Sequence, residues 1–213
     1  MIGYPDFTCS RTNIHVYIKK LYLIYMLKVK TILLGASCCG KSQIISNLRT
    51  KKVNMIYCPT IGVDFFRHNE DDVDFEIWDT SGAYRFSGVV NTFYRNVNLA
   101  ILVYRTESDF QKIISYYEEV SNLVQKKEEL RFVVFSIGQL PKLGREFAFE
   151  NECYFFHFSA LNYSQTKRTF SKLAVACKAE IANPNRLWFK PLEVINLEQD
   201  HEQSGECLKL PCI

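Results

Sequence analysis

A doubly wound α/β fold, with a mostly parallel sheet and one antiparallel edge strand, is what this 213-residue sequence predicts. Three observations carry that expectation. Apolar runs of strand length recur at Leu27–Leu34, Leu99–Tyr104, 132–137 and 153–158, and continuous rather than alternating runs mark strands buried on both faces. Amphipathic helical stretches alternate with them, as crossovers between parallel strands require. Two extended runs, 63–67 and 73–78, are joined by the polar segment Asn69-Glu70-Asp71-Asp72, which predicts an antiparallel hairpin with a solvated acidic turn.

Taken in order, the strand over Leu27–Leu34 enters a glycine-containing loop, and a short helix is expected over 41–49. Between the next parallel strands, Phe110, Ile113, Ile114, Tyr117, Val120 and Val124 share one helical face, while Lys126, Lys127, Glu128 and Glu129 form the solvated end. Phe170, Leu173, Ala174, Cys177 and Ile181 repeat that spacing, and Pro184 stops the helix. Beyond it the periodicity is lost. The expected organisation is an N-terminal extension over 1–25, flexible or upstream of the native start, one domain over 26–183, and a mobile tail over 184–213.

Nearly half of the residues, 47%, are hydrophobic, enough for burial to offset the entropy of ordering the backbone. The excess of 26 Lys and Arg over 23 Asp and Glu is too small to argue for nucleic acid. The 8 cysteines form no CxxC pair and no zinc-ligand spacing, so reduced thiols in a cytoplasmic protein are expected. The one apolar stretch near membrane length, 15–34, is interrupted by Lys19, Lys20, Lys28 and Lys30, and no secretory signal is evident. The histidines at 15, 68, 157 and 201 have no partners at catalytic spacing and are expected to be structural or solvated.

The chemistry sits in Gly35-Ala36-Ser37-Cys38-Cys39-Gly40-Lys41-Ser42, the GxxxxGK(S/T) pattern between a strand and a helix. In such a loop the backbone N–H groups form a nest for the phosphates of a nucleoside triphosphate. The helix N-terminus adds its dipole, Lys41 reaches the outer phosphates, and Ser42 offers a hydroxyl to magnesium. Gly35, Ser37, Cys38, Cys39, Gly40, Lys41 and Ser42 are therefore the candidate phosphate ligands. Adjacent side chains diverge, so Cys38 and Cys39 do not chelate one ion, and the loop uses their backbone rather than their sulfur. Oxidative control of nucleotide binding is the lesser alternative.

Downstream stand Pro59-Thr60-Ile61-Gly62-Val63-Asp64-Phe65 and Trp78-Asp79-Thr80-Ser81-Gly82-Ala83-Tyr84-Arg85-Phe86. These strings closely resemble the first and second switch regions of the Rab small GTPases, including the segment IGVDF that separates Rabs from their Ras and Rho relatives. Phe93-Tyr94-Arg95 resembles the family's YYR segment, and Ser159-Ala160-Leu161 its SAK loop. The resemblance runs from about Met26 to Ala182. It implies a P-loop small GTPase fold, with GTP or GDP and Mg2+ as ligands. Thr60 would bind the metal and report the γ-phosphate, Asp79 would hold the metal through water, Gly82 would donate to the γ-phosphate, and Tyr57 would lie over the phosphates. Phe65, Trp78 and Phe93 match the aromatic triad that Rabs present to effector proteins, with Ile61 beside it; ordinary core packing is the alternative for these rings.

Four departures accompany the matches. Ala83 stands where the family carries the glutamine that orients water, and a methyl group does not hydrogen-bond, so slow intrinsic hydrolysis is expected. TBC-type activating proteins supply their own glutamine and arginine, which leaves stimulated turnover open. The guanine-reading NKxD is replaced by Ser136-Ile137-Gly138-Gln139. Gln139 presents one acceptor and one donor where an aspartate presents two acceptors, so weak guanine selectivity is expected. Ile137 is expected to cover one base face, the Ser159-Ala160-Leu161 loop to meet the base, and Val53 falls where an aromatic normally stacks. The connection from Gln139 to Arg145 and the hairpin are shorter than in the family. The ending Cys207-Leu208-Lys209-Leu210-Pro211-Cys212-Ile213 is neither a CaaX box nor the double-cysteine end of Rabs, so membrane association is expected to be indirect or through unrecognised lipidation, peripheral on endomembranes.

The leading expectation is a Rab-like GTP-binding switch in vesicle traffic with impaired hydrolysis, partnered by effectors, an exchange factor and a TBC-type activating protein. The alternative is a pseudo-GTPase interaction module that uses nucleotide structurally or not at all. A P-loop kinase is weaker, since no lid or second-substrate segment is evident.

Overall fold

In the computed structural model, the described residues are 26–52, 58–83, 87–124, 130–182 and 195–196. The elements are β1 (Leu27–Leu34), α1 (Lys41–Thr50), β2 (Val63–Glu70), β3 (Val73–Thr80), α2 (Ser87–Asn91) with a 3-10 turn over Thr92–Tyr94, and β4 (Leu99–Tyr104). There follow α3 (Glu107–Leu123), β5 (Arg131–Ser136), α4 (Pro141–Glu150), β6 (Tyr154–His157), α5 (Tyr163–Ala182) and β7 (Ile195–Asn196). They form one sheet in the order β2-β3-β1-β4-β5-β6-β7. Only the β2–β3 pair is antiparallel, so the predicted fold class holds.

Every residue of β4 is buried, because helices cover both faces of the sheet. On one face Leu33, Ile44, Phe75, Ile101, Phe135 and Phe170 belong to a single cluster that includes α1 and α5. On the other, Ile32, Leu102, Phe110, Ile113, Val134 and Phe147 pack beneath α3 and α4. Alternate residues of β1 and β4 thus feed opposite layers, as the two-residue side-chain period dictates. Helix α3 is fixed at its start by a capping box. The Thr106 hydroxyl accepts from the Asp109 N–H (3.2 Å), and the Asp109 carboxylate accepts from the Thr106 N–H (3.0 Å).

Two expectations are corrected. The hairpin ladder runs on through Asn69 and Glu70, which pair with Asp74 and Val73, and the turn narrows to Asp71 and Asp72, both left-handed (φ 47° and 63°). A two-residue turn with positive φ at both positions matches strand twist better than a longer polar loop. The connection after Gln139 is not merely a shortened loop: Pro141 opens α4 at its first turn, where a missing N–H costs nothing. Within the segment expected to be a mobile tail only Ile195–Asn196 is among the described residues, and it pairs parallel with Phe156 and His157, satisfying part of the open edge of β6. The solvated end expected at 126–129 lies outside the described residues.

The loop leaving β5 is pinned by a close approach. A Cβ built on Gly138 would stand 1.9 Å from the carbonyl oxygen of Arg105, which is backbone and does not swing aside. Gly138→Ala is therefore expected to lower unfolding free energy by about 1–3 kcal/mol, read as an earlier urea midpoint at unchanged slope. An unchanged midpoint would refute the contact.

Candidate functional site

In parallel sheets ligands gather beyond the carboxyl ends of the strands, where the strand order reverses. Here β1 lies between β3 and β4, and its carboxyl end delivers the chain into loop 35–40. A Cβ at Gly35 would come 2.2 Å from the Val103 carbonyl oxygen, so the loop hugs β4 only with glycine there. Gly40 is left-handed (φ 108°), and the Ile137 side chain lies 2.5 Å from where its Cβ would stand. Lys41, the first residue of α1, is buried, and its ammonium donates to the carbonyls of Gly35 (2.9 Å) and Ala36 (2.8 Å). A short buried arc thus holds one positive charge at the mouth of a helix. Cys39 is buried in the core and its thiol is pushed up by that burial, which keeps it unreactive. Cys38 is exposed and left-handed (φ 63°), a conformation costing an L-residue about 1–2 kcal/mol. One thiol is exposed and the other buried, so the two adjacent side chains diverge as expected.

Register carries Asp79 to the same place, since it pairs with Leu33 at the end of β1. Ser42 Oγ donates to Asp79 Oδ2 (2.6 Å) and lies 2.8 Å from Thr60 Oγ1, which in turn reaches Asp79 Oδ2 at 3.5 Å. The other carboxylate oxygen, Asp79 Oδ1, is buried without a hydrogen-bond partner. Burial raises the Asp79 carboxyl above the usual range, opposed by the Ser42 hydroxyl and the Lys41 charge. Two hydroxyls and a carboxylate with a vacant lone-pair direction form an oxygen donor set that fits a hard divalent cation such as magnesium.

The segments carrying Thr60 and Gly82 are tied to one another and to the loop. The Ser81 N–H donates to the Gly62 carbonyl (2.8 Å), and the Thr80 hydroxyl to the Leu33 carbonyl (2.6 Å). A Cβ on Gly82 would stand 2.3 Å from backbone atoms of Ala36 and Ser37, so this backbone presses directly on the loop. Residues 37–40 of the loop, α1, Thr60, Asp79 and Ala83 line a cleft of about 1030 Å³, which continues past Arg105 and Ile137 to Ser159, Ala160 and Leu161. The last three are positioned by hydrogen bonds from Asn47 Nδ2 to the Ala160 carbonyl (3.0 Å) and from the Ser159 N–H to Gln165 Oε1 (2.8 Å).

The Ras family model matches residues 30–179, a span that contains every described residue of this cleft. The chain belongs to the Ras family. Its relatives place this Rab-like small GTPase more narrowly. It is 29% identical over 159 residues to Ras-related protein RABA1c of Arabidopsis thaliana, covering 68% of this chain and 72% of that one. Ras-related protein RGP1 of Oryza sativa subsp. japonica is 29% identical over 196 residues (84% and 82%). GTP-binding protein YPT52 of Saccharomyces cerevisiae is 31% identical over 135 residues (57% and 56%).

In this Rab-like chain the aromatic triad is contiguous. Phe65 pairs across the hairpin with Trp78, ring centroids 4.8 Å apart, and Trp78 meets Phe93 at 4.8 Å. Phe65 is 43% exposed and Ile61 79%, so one end of the row faces solvent, and core packing alone does not account for it. Gln139 departs from expectation. It is exposed and outside the residues that line the cleft, because the chain turns outward once Gly138 has passed Arg105. Ser136, at the start of the replaced motif, is fully buried and held against His157 Nδ1 (3.3 Å from its hydroxyl), a structural pairing as expected of that histidine. Tyr57 and Val53 lie outside the described residues, as do Tyr84, Arg85 and Phe86. Arg105 lines the cleft without having been singled out in the sequence. Among the described residues no helix is long and apolar enough to cross a membrane.

Proposed function

We propose that this Rab-like GTPase is a GTP- and magnesium-dependent switch in membrane traffic that hydrolyses its nucleotide slowly. The observation that carries the reading is the convergence of Ser42 and Thr60, from two other segments, on Asp79 Oδ2, while the buried Oδ1 of the same carboxylate lacks a partner. Lys41 and the N–H groups of loop 35–40 would hold the β- and γ-phosphates, and Ser42, Thr60 and Asp79 would hold the metal, Asp79 through water. Magnesium supplies neutralisation of phosphate charge. The Gly82 N–H would meet the γ-phosphate, so the segment joined to Gly62 would order around a triphosphate and relax around a diphosphate. Ile61 and the Phe65, Trp78, Phe93 row would present that difference to effectors. Ala83 lines the cleft but has no group with which to orient water, so turnover would depend on an activating protein. Association with endomembranes would be peripheral.

Calorimetry of purified protein with GDP and GTP, in magnesium and again in chelator, tests this reading. Binding that requires magnesium is expected. Absence of heat with either nucleotide would remove the switch and leave the interaction-module alternative. In single-turnover assays, Ala83→Gln is expected to raise intrinsic hydrolysis by about tenfold or more, since the amide would hydrogen-bond and orient the attacking water. An unchanged rate would place the defect elsewhere.

A further inference from the structure

The far end of the cleft is chemically unlike a site that selects guanine. Ile137, Ala160 and Leu161 are apolar, and the Ser159 hydroxyl already accepts from the Leu161 N–H (3.3 Å). The acids that line the cleft are Asp64 and Asp79. Asp79 is bound through Oδ2 to Ser42 and Thr60, its Oδ1 belonging to the oxygen donor set described above, and Asp64 faces Arg49 at 4.0 Å. Among the described residues no lining carboxylate is therefore left to accept the two N–H donors of a guanine edge.

What the seam between the two ends does hold is a cation. Arg105 follows β4 directly, and β4 lies between β1, which feeds loop 35–40, and β5, which feeds Ile137. The Ile137 N–H donates to the Tyr104 carbonyl (3.1 Å), and the Arg105 carbonyl abuts Gly138. Arg105 is exposed and lines the cleft together with Ser37, Cys38 and Ile137. Of the two acids that follow it, Glu107 and Asp109, Asp109 uses its carboxylate on the backbone N–H groups of Arg105 (3.2 Å) and Thr106 (3.0 Å), and no ion pair joins Glu107 to Arg105 among the described residues. Among the described residues the guanidinium makes no hydrogen bond or ion pair.

We propose that Arg105 is a nucleotide-contacting residue that donates to the anionic side of a bound nucleoside di- or triphosphate, so that this cleft grips nucleotides without selecting guanine. The inference rests on the nucleotide-binding reading above and names its ligand class. A guanidinium carries five donors and no acceptor, and it prefers phosphate oxygens in a bidentate grip. It replaces base reading with charge. A pocket without a paired acceptor for the guanine edge forfeits the ~10⁴–10⁵ discrimination that such pairing gives.

The test is calorimetry of the full chain with the magnesium complexes of GDP, ADP, UDP and inorganic pyrophosphate, for wild type, Arg105→Ala and Arg105→Lys. Expected are wild-type affinities for the three nucleotides within about tenfold of one another. Arg105→Ala should lose about tenfold for all three alike, as a charge-assisted contact of ~1.5–3 kcal/mol implies, and that loss should shrink as salt rises. Arg105→Lys should recover part of it. The side chain is exposed, so equal urea midpoints for the three proteins confirm that folding is not the cause. A preference for GDP over ADP beyond about a hundredfold overturns the proposal, as does an Arg105→Ala loss confined to one base or smaller than twofold. Binding by wild type that ignores Arg105→Ala sinks this inference alone. Failure of every ligand, pyrophosphate included, sinks the nucleotide-binding reading with it.

Discussion

Lys41→Ala is expected to weaken binding of magnesium–GDP by about a hundredfold or more. Its ammonium is buried and bonded to the Gly35 and Ala36 carbonyls, so it is pre-positioned and loses little freedom when phosphate oxygens arrive. Removing one partner of a buried, charge-assisted contact costs ~2–5 kcal/mol, and 1.4 kcal/mol is about tenfold in affinity. Two further effects act in the same direction. The two carbonyls lose the donor that shapes the arc, and Asp79 loses a positive neighbour that holds its carboxyl down. Calorimetric titration of the variant checks this, and an affinity within threefold of wild type would remove Lys41 from the phosphate site.

Asp79→Asn is expected to abolish the magnesium response while leaving the metal-free fold as stable as wild type or more so. Burial raises the native Asp79 carboxyl above its unfolded value of about 3.8. The native state therefore retains a proton that the unfolded chain has released. This contribution to stability is complete below pH ~3.8 and is lost as pH rises through the raised native value. Without metal, wild type should accordingly lose stability across that window, and the variant should show a flatter profile. With metal and nucleotide the order reverses: a ligand at a hundred times its Kd stabilises by about 2.7 kcal/mol, available to wild type alone. Melting curves with GDP, in chelator and in magnesium, separate the two. A variant that still gains stability from magnesium would show that the cation sits elsewhere.

Much of this was legible because local pattern and tertiary context agree. Leu99–Tyr104 reads as a doubly buried strand and is one; the glycines and lysine of loop 35–42 carry their own geometry. The hairpin was read too short because Asn69 and Glu70 are polar, yet an edge strand pairs through its backbone whatever its side chains. Helix α4 has only 10 residues, too few for periodicity to stand out, although Pro141 followed by the apolar positions 143, 147 and 148 was an available signal. The base end was the least legible. Gln139 follows from aligning a motif, whereas the place of Arg105 follows from β4 lying between β1 and β5, and no local pattern encodes which strands become neighbours.

The bond from the Ser81 N–H to the Gly62 carbonyl has a mechanical consequence. It fastens the stretch bearing Thr60 to the stretch bearing Gly82 just beyond the final rung of the hairpin, Val63 opposite Thr80. Pulling either stretch away from loop 35–40 must drag the other or snap that tie first. Release of the two stretches would then be coupled, and a partner resting on Ile61 would sense events at Gly82 without touching it.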